Sequence, residues 1–145
     1  MTAIAYRDGV LAADSVGWTA GCSVKVPVAP KIRRLPCGVY AAAGNTTVID
    51  EFYDWMSGDP LARRPEGLVD EDFSSICVRP NGTVWFCTHR LHFTQLHAEF
   101  LAIGGPSEFM MGALFAGATA EQAVRLAIEH TYSAGGHVQT MRIGQ

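Results

Sequence analysis

Thr2 follows the initiator methionine directly. Aminopeptidases remove methionine before small residues, which would leave Thr2 with a free α-amine beside its own hydroxyl. An unperturbed α-amine titrates near ~7.7–8.0, so a good fraction is neutral around neutral pH. That amine can take the hydroxyl proton and make the oxygen a nucleophile. Such a site also needs a cation to lower the amine's pKa, a carboxylate to hold the cation, and a backbone N–H to meet the oxyanion. A retained Met1 would make the Thr2 nitrogen an amide and remove the base. The chain has only two lysines, Lys25 and Lys31, which singles both out.

The elements that must position these groups are legible in outline. TAIAYR reads as a strand, Asp8-Gly9 as a tight turn, and VLAADS as its hairpin partner. SVKVPV and KIRRL read as extended, with Pro27 and Pro30 placing the first near a sheet edge. GVYAAAG is an apolar small-residue strand ending at Gly44. The period then changes. Val48, Ile49, Phe52, Tyr53 and Met56 recur at helical spacing, with Asn45 or Thr46 as the cap and Asp50 and Glu51 in the early turns. SGDPLARRPEG reads as a loop and FSSICVRPNGTVWFCTH as a hairpin around Asn81-Gly82. HAEFLAIG is a further strand. Helices follow over 107–116 and 120–132, the second opened by a Thr119/Gln122 capping box, and HVQTMRI closes the chain as a strand. Strands, helix, strands, two helices and a strand make an α+β layered domain, in contrast to a βαβ repeat.

TAIAYRDGVLAADS, PKIRRL and VYAAAGNTT together resemble the opening of a proteasome-type N-terminal-nucleophile (Ntn) hydrolase. The nearest flavour is HslV and its short phage-associated relatives. FLAIGGPSEFMMGALFAGATAEQAVRLAIEHTYSAGGHV resembles the family's strand, glycine turn, helix pair and final Gly-Gly strand. The resemblance implies an αββα sandwich of two antiparallel sheets with a reduced helical layer, as one domain over 1–145. It is weakest over 58–72, where the family carries a second long helix and this chain a short loop.

Carried over residue by residue, the resemblance puts Thr2 on the nucleophile, Lys31 on the catalytic lysine and Asp14 on the aspartate that orients it. Gly44 falls on the glycine whose N–H helps form the oxyanion hole, and Ser133 on the late serine that supports the amine. Asp14 ends a buried-looking strand and would be costly there without a partner, which Lys31 supplies. Read alone, Asp14 is a strand-end residue, Lys31 an exposed strand lysine and Gly44 a turn glycine. Gly105 stands where the family places a serine. Ser107 lies two residues on. The family's late aspartate is absent, His130 most nearly taking its place with a charge that would be wrong at low pH. Trp18 follows where family backbone pairs with substrate, and reads as a core or interface aromatic or as a shaper of a specificity pocket.

The remaining features exclude classes. The chain has 145 residues, is 48% hydrophobic and 17% charged, and carries a net charge of −3, a globular composition of one-domain size. No basic patch points to nucleic acid and no Lys/Arg cluster to an anionic membrane. No apolar run approaches the ~20 residues of a membrane span, and no secretory signal opens the chain. Cys22, Cys37, Cys77 and Cys87 form no C-x-x-C pair and read as reduced core thiols of a cytoplasmic protein. In HRLHFTQLH a single strand would place His89 and His97 on one face and His92 on the other, without a completing ligand set, so no metal is expected. Asp70, Glu71 and Asp72 read as a solvated acidic stretch, and Phe109, Met110 and Leu114 as core or subunit interface.

These readings converge on a threonine-type peptidase acting on peptide or unfolded polypeptide. It would need no cofactor and would form a homo-oligomeric ring. The short middle loop argues against docking to an unfoldase. The alternative is a non-catalytic ring-forming or virion-associated structural protein with the same fold.

Overall fold

The computed structural model describes residues 1–18, 24–28, 30–58, 65 and 72–144. The chain begins with β1 (Ala3–Arg7) and β2 (Val10–Ala13), joined by a tight turn in which Asp8 and Gly9 both have positive φ, 51° and 78°. That is the two-residue hairpin turn whose twist suits antiparallel strands. A two-stranded ribbon follows, β3 (Val16–Trp18) with β4 (Lys25–Pro27), then β5 (Ile32–Leu35) and β6 (Gly38–Ala43). Next come α1 (Thr46–Met56), β7 (Ser74–Val78), β8 (Val84–Thr88), β9 (Phe93–Leu96) and β10 (Phe100–Gly104). The chain ends with α2 (Ser107–Phe115), α3 (Ala120–His130) and β11 (Gln139–Arg142).

The strands form a four-stranded sheet in the order β10-β1-β2-β11 and a five-stranded sheet in the order β5-β6-β7-β8-β9, antiparallel throughout. Strand alternation sorts the core. In β1, Ile4 and Tyr6 join Leu11, Ala13, Val39, Ala41, Ile76 and Val78 in a cluster shared by the two sheets. Ala3 and Ala5 face the opposite way, with Ala12 and Ala102 against Met110, Leu114, Ala123, Val124 and Ala127 of α2 and α3. The alanines let the helices lie close on the sheet. Each fully buried Ile or Leu contributes about 1.5–3 kcal/mol. On the five-stranded sheet, Phe52 and Tyr53 of α1 pack against Tyr40, Ala42, Phe73, Cys77 and Cys87.

The helix starts follow their signals, while α2 and α3 end at Phe115 and His130, short of the expected 116 and 132. Asn45 caps α1, its side chain accepting from the Thr47 N–H at 2.9 Å. The Thr119/Gln122 capping box opens α3, which ends at His130. The hairpin around Asn81-Gly82 forms as β7 and β8, with Val78 pairing Val84 and the Asn81 side chain accepting the Thr83 N–H. Other expectations are corrected. Phe93–Leu96 is an edge strand of its own, so His89 and His97 lie outside one continuous strand, and the shared-face argument fails. Of the residues read as core or subunit interface, Met110 and Leu114 are buried in the core and Phe109 is 41% exposed. Cys77 and Cys87 are buried thiols but Cys37 is exposed. Cys22, Asp70, Glu71 and most of the 57–67 loop lie outside the described residues. No described helix is long and apolar enough to cross a membrane.

Candidate active site

The β1–β2 hairpin brings the chain start onto Asp14. Thr2 immediately precedes β1 and Asp14 immediately follows β2, with Ile4 opposite Ala13. The Asp14 N–H donates to the Ala3 carbonyl at 3.1 Å, and the Ala3 N–H donates to Asp14 Oδ1 at 3.0 Å. The carboxylate is completely buried, and its second oxygen accepts the Gly135 N–H at 3.1 Å.

Lys31 reaches in from the bend before β5. Its Nζ donates to Asp14 Oδ1 at 2.6 Å, to the Val16 carbonyl at 2.5 Å and to Thr2 Oγ1 at 3.2 Å. An ammonium has three hydrogens, and each has an acceptor here. Lys31 is 8% exposed and Thr2 6%. Burial pulls the Lys31 pKa below the ordinary lysine value, and the Asp14 carboxylate opposes that pull without cancelling it. The threonine oxygen thus sits beside a dry cation whose own position is fixed by a buried carboxylate.

The Gly135-Gly136 segment closes over this pair. A Cβ on Gly135 would lie 2.9 Å from Val16 Cγ2, and one on Gly136, at φ +77°, would lie 2.1 Å from Ser15 Oγ. Only glycine admits the close approach that lets the Gly135 N–H reach Asp14. The Ser15 N–H returns a bond to the Gly135 carbonyl at 3.2 Å, and Ser15 Oγ accepts the His137 N–H at 2.8 Å. The preceding residue but one, Ser133, lies against Gly105. A Cβ built on Gly105 would meet Ser133 Cβ at 2.9 Å, its Oγ at 3.3 Å and Met1 Cβ at 3.7 Å. Ser133 therefore fills the space that a side chain at position 105 would need, next to Met1.

Thr2 opens into a cleft of ≈ 530 Å³ lined by Met1, Ala43, Gly44, Asn45, Asp72, Gly104 and Gly105. Gly44 follows β6 at φ +139°, and a Cβ there would press on the Phe73 backbone at 3.2 Å. Lys31 therefore joins Thr2 and Asp14, Gly44 shares the cleft with Thr2, and Ser133 lies against Gly105 at the cleft's edge. His130 is elsewhere: it is exposed at the end of α3, with Nε2 3.8 Å from Glu129. Trp18 is half-buried on the Tyr132 ring, centroids 4.7 Å apart, and Lys25 Nζ lies 5.3 Å from its ring. Lys25 also donates to the Ala134 carbonyl at 2.9 Å, which ties the ribbon to the Ser133–Gly135 loop.

Gly135, Tyr53 and Gln139 are site residues that sequence reading passed over. Gly135 had a signal, the Gly-Gly pair, without a stated contact. Tyr53 was read only as one member of an apolar stripe. Gln139 carries no local signal, since its partner is 108 residues away. Among the described residues, no group of His, Cys, Asp and Glu is arranged to hold a metal.

No family model and no curated protein matches this sequence. Solved structures do match. Thiobacillus denitrificans BPH superposes with a TM-score of 0.71 at 18% identity, covering 99% of this chain and 98% of that one. The same protein in complex with epoxomicin gives 0.70 at 18% identity, covering 99% of both chains. Eukaryotic HslV from Trypanosoma brucei gives 0.66 at 18% identity, covering 97% of both. The chain has the fold of HslV-type proteasome subunits over nearly its whole length.

Proposed function

We propose that this protein is a threonine-type peptidase built as a single Ntn-hydrolase αββα domain over residues 1–145, with Thr2 as nucleophile once Met1 is removed. One observation carries the reading: Lys31 Nζ bridges a fully buried Asp14 and the Thr2 hydroxyl, and Thr2 itself lines an open cleft. A lysine and an aspartate this deeply buried cost several kcal/mol in desolvation, a poor arrangement if stability were its only use.

In the proposed reaction the freed α-amine of Thr2 takes the Oγ1 proton, and Oγ1 attacks the carbonyl carbon of a bound peptide. The Lys31 charge lowers the amine's proton affinity and stabilises the developing alkoxide, while Asp14 holds Lys31 in place. The Gly44 N–H meets the oxyanion. The C–N bond then breaks, and the leaving amine carries away the proton held by the Thr2 amine. The result is an ester on Oγ1. Water, deprotonated by the same amine, attacks this ester; the bond to Oγ1 breaks, the amine returns its proton to Oγ1, and the acid product leaves. Ser133 orients the amine from the Gly105 side. The fold likeness to HslV supports a homo-oligomeric ring in which the cleft faces a chamber.

The test begins with the intact mass of the chain from its native host. A mass one methionine short, followed by turnover of a fluorogenic peptide that Thr2→Ala abolishes and Thr2→Ser retains in part, supports the peptidase. Epoxomicin, present in the T. denitrificans complex, supplies a second readout as a mass increment confined to the N-terminal peptide. A retained Met1 with no turnover supports the second reading, a non-catalytic ring-forming protein. Sedimentation showing only monomers over a broad concentration range would refute the ring in either case.

A further inference from the structure

The backbone of Lys31 is gripped from both sides by side chains of different layers. The Lys31 N–H donates to Gln139 Oε1 at 3.0 Å. Gln139 opens β11, at the edge of the four-stranded sheet. The Lys31 carbonyl accepts the Tyr53 hydroxyl at 2.9 Å. Tyr53 comes from α1, which packs on the five-stranded sheet, and it is 2% exposed. The same hydroxyl lies 3.4 Å from the Tyr40 carbonyl, and the Arg33 guanidinium covers its ring at 4.3 Å. Lys31 itself belongs to no strand, since β5 starts at Ile32. Its side chain must reach acceptors in Thr2, Asp14 and Val16 at once.

We propose that Tyr53 and Gln139 are positioning residues for the Lys31 ammonium: by clamping the Lys31 main chain between the two sheets, they set the reach of Nζ to Thr2 and Asp14. The proposal rests on reading Lys31 as the cation of the site. Burial pushes the Tyr53 hydroxyl well above the ordinary tyrosine range, so it stays a donor. Neither residue touches the cleft, whose described lining contains neither of them. Their effect must therefore run through Lys31.

Only two lysines in the chain make the test clean. The full chain, labelled with ¹⁵N-lysine, shows Lys31 ammonium protons by NMR, and their exchange with water reports how firmly the head group is held. Tyr53→Phe keeps the ring and loses the hydroxyl. Gln139→Leu loses the acceptor, and Gln139→Glu restores one. The expected result is exchange roughly three- to tenfold faster in Tyr53→Phe and Gln139→Leu, the factor one lost hydrogen bond gives, with Gln139→Glu no faster than wild type. The Val124 backbone amide in α3 reports the remote core and should keep its protection in all variants. Lys31 exchange within about twofold of wild type in both loss variants overturns the clamp. So does an unprotected Lys31 backbone amide in the wild type, a measurement that needs no variant. Where peptide turnover is present, kcat falls while KM holds in Tyr53→Phe. Faster exchange without any turnover in wild type keeps the clamp and discards the peptidase; turnover with unchanged exchange does the reverse.

Discussion

Gly104 lies with its α-carbon against the Thr2 carbonyl. A Cβ at position 104 would stand 1.7 Å from that oxygen, and the backbone there has φ +101°. The next residue, Gly105, donates its N–H to the same oxygen at 3.0 Å. The end of β10 therefore fixes the peptide that follows the proposed nucleophile. Gly104→Ala should destabilise the fold by about 3 kcal/mol or more, from the strained φ and the backbone collision together. Gly82→Ala is the control, with φ +82° and nothing near its Cβ, and should cost only about 1–2 kcal/mol. Urea denaturation of the two variants checks the difference.

Removing one half of the Asp14–Lys31 pair should cost far more than removing both. Asp14→Asn leaves the buried ammonium without its carboxylate, and a loss of about 3–5 kcal/mol is expected. Lys31→Met strands the carboxylate in the same way. The double variant should lose clearly less than the sum of the singles. A double-mutant cycle in denaturant measures this coupling, and simple additivity would show that the two charges do not depend on each other.

The Lys31 shift has a defined sign. Its pKa in the folded chain lies below the ordinary 10.5 because burial disfavours the charged form, so folding carries a penalty while the ammonium stays protonated. That penalty is fully present below the folded pKa and is relieved as pH rises from there to 10.5. The Lys31 side-chain signal should therefore titrate below 10.5 in the native protein, and the stability of wild type relative to Lys31→Met should rise with pH across that window. NMR titration and denaturation at stepped pH read both.

The thiols should divide by burial. Burial pushes Cys87 up to about 12 from 9.0 and also raises Cys77. Both stay protonated at neutral pH, and the stability their neutral form gives is whole below 9.0 and lost as pH rises toward the folded value. In a Cys22→Ser chain, iodoacetamide should label exposed Cys37 and leave Cys77 and Cys87 untouched until urea opens the fold. Peptide mapping by mass spectrometry decides it.

Local chemistry made part of this protein legible before any coordinates. The Asp8-Gly9 turn, the Asn45 cap, the Thr119/Gln122 box and the helical spacing of Val48, Phe52 and Tyr53 are short-range signals, because each depends on residues within a turn or two. Phe93–Leu96 escaped because an edge strand needs neither full burial nor clean alternation. Phe109 was grouped with Met110 and Leu114 because α2 is apolar on both sides, and only the sheet beneath decides which side is covered. Thr2, Asp14 and Lys31 could be singled out by type and by resemblance. Their contact could not be read from spacing, since it needs a hairpin register and a lysine arriving from the bend before β5. Tyr53 and Gln139 were out of reach for the same reason. One lies 22 residues from Lys31 and the other 108, and the hydrogen bonds that join them exist only once both sheets have closed on the shared core.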